Sequence, residues 1–550
     1  MNAECHPISV VPGLHRLFLD YCSGAPAVRP FYVSLPTDLG WPGGPGLDLD
    51  TWDRAAPSAH WQEVVNLLAA QNAAPSPAAA AALEDLRNGA GAVVTGQQVG
   101  LFGGPLFTPF KAATALARAR QGTACGSPHV AVFWLATEDH DFAEIDHVIF
   151  PARRELRKLT YAGSPSASQP VGGILLDEAI TPLIDQAWEL LGPSGAMDAM
   201  AAAYQPGRSF AQAFAEFYSK LFAAQGLLVL DASGRDFHRI GAPVLRAAME
   251  RADELHQALL DRNAELAAAG YHAQVAVVPQ SSLLFLIDQN TGARVALKRH
   301  PASAHEPGGL WQAGRHSFST ADLLGILDTE PERISPSALL RPVFQDFLLS
   351  TSAIVGGPAE IAYFAQSAVL YERILGRITP SLPRFSATLI EPAIAELMHK
   401  HELTLERVFE VCGAESPVTL AQLLAARSMP FEGKMKLAAT GTALDAELTP
   451  LVEWMHSLDT GLGQSAEIAA SKMRYQMNRL RHLAANFQLQ REAGLTRQAV
   501  ATGQAIYPGG ALQERLHGAA YYFARYGLEL AETLTEQAAN CCPGHTAIWL

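Results

Sequence analysis

GAVVTGQQVGLFGGPLFTPFKAATALARARQ, residues 91–121, followed at 129–147 by HVAVFWLATEDHDFAEIDH, carries the pattern that decides the fold. A short apolar run, GAVVTG, enters a turn with glycines at 96, 100, 103 and 104, and residues from about Pro109 to Arg120 then have helical composition. HVAVFWL is again short, rich in branched and aromatic residues, and ends in charged groups, as a buried parallel strand does. Strand, glycine-rich turn, helix and strand together make a βαβ unit. GLLVLDAS (226–233) and SLLFLID (282–288) supply further strands, with helical sequence such as GAPVLRAAMERADELHQALLDRNAELAAAGY (241–271) between them. The alternation predicts an α/β core with a largely parallel sheet.

A chain of 550 residues, 49% of them hydrophobic, can bury a large core and predicts two or three structural units. Forty Lys and Arg against 54 Asp and Glu give a net charge of -14, which argues against a broad nucleic-acid or anionic-membrane footprint. The N-terminus, MNAECHPISVVPGLHRLFLDYCSG, lacks the basic and long apolar regions of a signal peptide. No segment offers the roughly 18 apolar residues of a membrane span. The expected location is the cytoplasm. Six cysteines (Cys5, Cys22, Cys125, Cys412, Cys541 and Cys542) are few and scattered, so all are expected to be reduced; no CxxC pair is present, and no metal site is predicted.

Early loop-like stretches, GWPGGPGLDLD (40–50) and QNAAPSPAAAAALEDL (71–86), carry no evident chemistry, the second entering a helix at its alanines. Past about Ser386 strand signals fade, and IEPAIAELMHKHELTLERVFEV and AEIAASKMRYQMNRLRHLAANFQLQREAG read as helices. In the second, Ala466, Met473, Leu480 and Phe487 fall seven apart, with Ala469, Gln476 and Leu483 at the complementary positions. This short heptad pattern fits either a helix packed on its own neighbour or a dimerising coiled coil. The expected organisation is a catalytic core with connecting insertions over 1–385, a helical coiled-coil domain over 386–503, and a segment over 504–550 that returns to the core.

The glycine-rich turn matches neither GxxxxGK[ST] nor GxGxxG, so its phosphate signal is generic. Its unusual feature is the pair Gln97 and Gln98, followed by Thr108 and Lys111; amides that merely cap the helix are the structural alternative. In TEDHDFAEIDH, Glu138, Asp139, His140, Asp141, Glu144, Asp146 and His147 crowd what would be the carboxyl end of a strand, where open α/β sheets bind ligands. Such a cluster can hold a metal, supply a general base such as His140, or bind a substrate amine or hydroxyl; a solvated charged loop is the bland alternative. SPSALLRPVFQDFLLSTSAIVGGPAEIAYFAQ (335–366) places Arg341, Gln345 and Asp346 on one helix, then Gly356 and Gly357 before a helix with Glu360 and Tyr363. YPGGALQER (507–515) adds Gln513, Glu514 and Arg515. Each of these last two reads, alone, as a turn with an internal ion pair.

Taken together, TGQQVGLFGGPLFTPFK, FWLATEDHDFAEIDH, AGYHAQV, LLRPVFQD, VGGPAEIAYFAQ, PRFSATLIEP and YPGGALQER resemble, in order and over nearly the whole chain, the bacillithiol biosynthesis cysteine-adding enzyme family. The resemblance implies a Rossmann-like core related to class I aminoacyl-tRNA synthetases and nucleotidyltransferases, and a coiled-coil domain that forms a homodimer. It also implies a ligase that joins the carboxyl of cysteine to the amino group of glucosaminyl-malate. ATP is the expected activator, through a cysteinyl adenylate. TGQQVG stands where a synthetase has its two-histidine signature, and no KMSKS-type loop follows a strand. Thr95, Gly96, Gln97, Gln98, Gly100 and Lys111 are then expected to form one wall of the pocket, and Glu138, Asp139, His140 and Asp141 the other. His140 or a carboxylate would take the proton of the attacking amine. Arg341, Arg384 and Arg515 are the candidates for the malate carboxylates, and Gln345, Asp346, Gly356, Gly357, Glu360, Tyr363 and Gln513 complete the set. No cysteine of the chain is expected to be catalytic.

Overall fold

The computed structural model describes residues 2–36, 59–152, 155–163, 168–300, 309–413, 419–540 and 542–550, so GWPGGPGLDLD and Cys541 lie outside the described residues. Five parallel strands form the centre: β1 (Gly91–Gln97), β2 (His129–Leu135), β3 (Leu228–Leu230), β4 (Thr351–Gly356) and β5 (Ser381–Pro383). Their spatial order is β3-β2-β1-β4-β5. Strands buried on both faces need apolar residues at successive positions, and HVAVFWL supplies them. Ala131, Phe133 and Leu135 enter one apolar layer, whereas Val130, Val132 and Trp134 enter the other.

The first layer holds α1 (Phe107–Ala124), which joins β1 to β2, and the helices Phe210–Leu221 and Leu530–Ala539. Because the last of these covers its outer side, α1 is buried over most of its length, polar residues such as Thr114 and Arg118 included. The second layer holds α2 (Arg235–Glu250), α3 (Arg341–Leu349) and α4 (Pro358–Leu375). The order reverses between β1 and β4, so a crevice opens at the carboxyl ends of those two strands.

SLLFLID does form a strand, Leu284–Ile287, but outside the parallel sheet. It pairs antiparallel with Arg294–Ala296 and with Ile334–Pro336. The reason is the tight turn at 288–293, where Asp288 Oδ1 accepts from the N–H groups of Asn290 and Thr291; a turn that short can join only antiparallel strands. Strand structure also continues past Ser386: Ala387–Ile390 runs parallel to the C-terminal strand His545–Trp549, which pairs antiparallel with Asn2–His6.

α5 (Phe431–Leu458) and α6 (Thr460–Arg491) form a hairpin, with Asp459 Oδ1 capping α6 by accepting from Leu462 N–H at 2.9 Å. Gly463, Ala466, Ala470 and Met477 of α6 are buried, and Gly441 and Leu448 of α5 with them. Of the heptad positions only Ala466 is in this seam. Met473, Leu480 and Phe487 are exposed by 50, 54 and 61%, with Leu483 beside them. Among the described residues no helix is long and apolar enough to cross a membrane.

One expectation is corrected here. Cys5 and Cys542 are joined in a disulfide, with their Cα atoms 5.7 Å apart, because the N- and C-terminal strands are neighbours and bring residues 537 apart in sequence together. Scatter along a sequence says nothing about separation in space. Reduction should therefore lower stability by about 2–4 kcal/mol. In guanidinium unfolding with and without dithiothreitol, the wild-type chain should lose that increment, and Cys5→Ser should have lost it already and be insensitive to reductant.

Candidate functional site

The glycine-rich turn after β1 directs its polar backbone inward. Gly103 N–H donates to Tyr204 Oη at 3.0 Å, that hydroxyl donates to Gly100 O at 3.0 Å, and Tyr218 Oη donates to Gly103 O at 2.8 Å. Gly104 has φ 69°, and a Cβ on Gly100 would stand 2.9 Å from the Cα of Gly104, so the turn closes only with glycine at both places. Thr95 is fully buried and donates to Val355 O at 3.1 Å, tying β1 to β4. Thr95 and Gly100 thus shape the turn and use their polar groups internally.

Lys111 sits one helical turn into α1, buried at the β1/β4 crevice. Its Nζ donates to Gly96 O at 2.7 Å and Gln97 Oε1 at 2.9 Å, and pairs with the Glu360 carboxylate of α4. Three acceptors match the three donors of an ammonium group. Burial pushes the Lys111 pKa down, and Glu360 opposes that shift. The arrangement orients Gln97: its carbonyl end is held by Lys111, and its two N–H donors have no internal partner among the described residues. Glu360 also accepts from Gly357 N–H at 2.8 Å, capping α4. A Cβ on Gly356 would come within 2.9 Å of the Glu360 Cβ, so the glycine there admits this side chain. The Gln345 amide lies against Gly96.

Facing this wall, the end of β2 presents its acidic cluster. Gln98 Nε2 donates to Asp139 Oδ2 at 2.6 Å and to Glu144 Oε2 at 2.8 Å, while His140 N–H donates to Asp139 Oδ1 at 2.7 Å. Burial alone would raise the Asp139 pKa, but these hydrogen bonds and the charges of Arg294 and Arg341 bring it below the ordinary value. Asp139 is therefore a fixed carboxylate. The His140 ring is half-buried, 6.0 Å from Phe285, and its Nδ1 makes no hydrogen bond. Asp141 is exposed at the start of the short helix Phe142–Ile145.

Two guanidinium groups complete the crevice. Arg294 lies 3.7 Å over the Phe285 ring, with Nε on Ser335 Oγ and one Nη on Pro336 O, both at 2.9 Å. Arg341 donates to Tyr363 Oη at 3.0 Å and keeps a buried Nε without a hydrogen bond. Burial pushes the Tyr363 phenol up to about 12, so it remains protonated. Neither arginine has a carboxylate partner in salt-bridge contact among the described residues.

The remaining candidates lie elsewhere. Arg384 is buried in a two-point ion pair with Glu514, at 2.5 and 3.0 Å, and Arg515 lies at the surface beside it. Asp346 is buried against Arg377, Thr379 and Thr351 N–H, linking α3 to β4 and β5. Gln513 makes both amide bonds to the backbone of Leu389, at 2.8 Å. These groups brace the fold.

Sequence reading missed Arg294 and His238. Arg294 stands in a hairpin with no motif, and His238, on α2, reaches the end of β2 only through the sheet's three-dimensional order. Phe285 also lines a cavity of about 640 Å³ beside the helix Ala252–Ala268, which none of the predicted site residues lines. Among the described residues no three His, Cys, Asp or Glu side chains are grouped to hold a metal ion.

Residues 1–385 match the family model described as the N-terminal Rossmann-like domain of bacillithiol biosynthesis BshC, and residues 387–550 match its C-terminal coiled-coil domain. The chain is 41% identical over the full length of both sequences to a Koribacter versatilis protein named "Putative cysteine ligase BshC". It is 34% identical to a protein of the same name from Solibacter usitatus, covering 99% of each chain, and 31% identical to one from Salinibacter ruber, covering 98% of this chain and 97% of that one.

The Lys111 geometry has a measurable consequence. Lys111→Met leaves the Glu360 carboxylate without its cation and should cost about 3–5 kcal/mol in chemical denaturation, whereas adding Glu360→Gln should recover part of that loss. Equal, additive losses would show that the pair is not coupled.

Proposed function

This chain belongs to the BshC family of bacillithiol biosynthesis, and we propose that it joins the carboxyl group of cysteine to the amino group of glucosaminyl-malate, forming an amide bond. The substrates are those the family resemblance implies. The observation that carries the reading in this chain is the meeting of an acid-rich strand end with two uncommitted guanidinium groups at the β1/β4 crevice.

In this reading Glu138 and Asp139 hold the ammonium group of cysteine, and the free N–H donors of Gln97 bind a carboxyl oxygen. Arg294 and Arg341 take the malate carboxylates, which guanidinium pairs with through two parallel hydrogen bonds. Arg384, already paired with Glu514, is not used. His140 accepts the proton that the acceptor's ammonium group must lose before its nitrogen can attack. Asp139, held ionised below its usual range, is the weaker base.

A free carboxylate resists amines at neutral pH, so the cysteine carboxyl must first be activated, and ATP is the activator we assign. The carboxylate would attack the α-phosphorus of ATP and expel pyrophosphate, and its oxygen would then leave with AMP when the amine nitrogen takes the acyl group. The glycine turn, whose polar backbone faces the core, does not offer the phosphate cradle of a P-loop enzyme. We assign the core a relation to class I synthetases, with Gln97 and Gln98 in place of their histidines. The exposed stripe of Met473, Leu480, Leu483 and Phe487 is assigned as a homodimer interface, since an apolar face of that length on one helix favours a partner.

Deleting this chain should leave cells with glucosaminyl-malate and without bacillithiol by mass spectrometry of small thiols. A His140→Ala chain of normal abundance should restore about 10²- to 10⁴-fold less turnover than the wild type. Normal thiol levels in the deletion would remove the reading. AMP or ADP release with the purified chain decides nucleotide use. Leu480→Glu with Phe487→Glu should halve the mass measured by light scattering; an unchanged mass would move the interface elsewhere.

A further inference from the structure

His238 is completely buried, although histidine is more often half-exposed. Its Nδ1 is 2.9 Å from Ile334 O, which only an N–H at that position satisfies. Its Nε2 lies 3.0 Å from Glu138 Oε1, an ion-pair distance, without meeting hydrogen-bond geometry. A protonated ring attracts the carboxylate at that distance, and a neutral ring does not. The ring lies against Phe344 of α3, with centroids 5.4 Å apart. Gly241, one turn along α2, is what lets Phe344 in: a Cβ there would fall 2.1 Å from its ring. The imidazole is thus clamped between a carbonyl, an aromatic ring and one carboxylate oxygen. Glu138 Oε2 has no partner among the described residues.

We propose that His238 is a positioning residue that acts through Glu138, fixing Oε1 so that Oε2 is presented to the ammonium group of the amino-acid substrate. The inference rests on the ligase reading for the identity of that substrate, but the His238–Glu138 pair stands on geometry alone. A carboxylate paired with a buried imidazole at a strand end keeps its orientation without closing the crevice, as outer partners of metal ligands do. Glu138 from the end of β2 and Glu332 from the turn at 331–333 are the acidic groups acting on the ring, and the charge of Arg294 also acts on Glu138. Burial lowers the His238 pKa, but Glu138 and the Ile334 carbonyl outweigh it and raise the pKa above the ordinary histidine value. The imidazolium is therefore complete at low pH and is lost as pH rises through the raised value.

Two measurements on the full-length protein test this. In spectra of imidazole-¹⁵N histidine, one ring of the 18 histidines, identified by its absence from His238→Gln, should be mainly protonated on both nitrogens at about pH 6.5, where a free imidazole is half neutral, and revert to a neutral tautomer in Glu138→Gln. A neutral ring in the wild type would overturn the pair, whatever the enzyme's substrate. In turnover, His238→Phe should raise the KM for cysteine about 10–100-fold while leaving the KM for the acceptor unchanged. His238→Gln, which keeps a donor but no charge, should recover part of that affinity. The ratio of cysteine KM values, His238→Gln over wild type, cancels the titration of cysteine itself and should fall towards one as pH rises. Equal increases in both KM values would make His238 a structural residue only. An inactive wild-type chain with an intact imidazolium signal would count against the ligase reading and not against the pair.

Discussion

The ammonium group of Lys111 holds the crevice together. It is buried where β1 and β4 diverge, and it joins three things: the Gly96 carbonyl near the end of β1, the amide of Gln97 and the carboxylate that caps α4. A cation in that position is costly to desolvate, and it is stable only because every donor has an acceptor. Its consequence is orientation. An amide can present either end to a ligand, and Lys111 fixes which end of Gln97 is free.

The polar residues of this chain divide by whether their partners are internal. Arg384 with Glu514 and Asp346 with Arg377 are closed ion pairs, buried in the fold, and they join elements apart in sequence. Arg294 and Arg341 are anchored to a hydroxyl, a carbonyl and a phenol, and among the described residues no anion neutralises them in direct contact. Two buried guanidinium groups anchored in this way present unneutralised charge to the crevice, which is the electrostatic basis for assigning them an anionic substrate. Gln98 shows the same distinction within one side chain: its N–H donors bind Asp139 and Glu144, and this keeps Asp139 a carboxylate.

Much of the centre was legible in sequence because its signals are local. HVAVFWL reads as a buried strand, and TGQQVGLFGGPLF reads as a demanding turn, since both depend on residues next to one another. The direction of the turn's backbone was not legible: Tyr204 and Tyr218, which draw it inward, lie about a hundred residues away. The same limit hid the Cys5–Cys542 disulfide, the antiparallel pairing of SLLFLID and the role of His238. Arg384 looked available because its partner Glu514 is 130 residues further on. The heptad of α6 was legible as an apolar stripe, but the side facing α5 is the one built from Gly463, Ala466 and Ala470, small residues that allow close approach.

We propose that both substrates meet between the carboxyl ends of β1, β2 and β4. A crystal structure of the full-length protein with glucosaminyl-malate tests it most directly. The malate carboxylates should lie on Arg294 and Arg341, with the amino group within reach of His140. Density for the ligand in the cavity beside Ala252–Ala268, with the crevice empty, would contradict it.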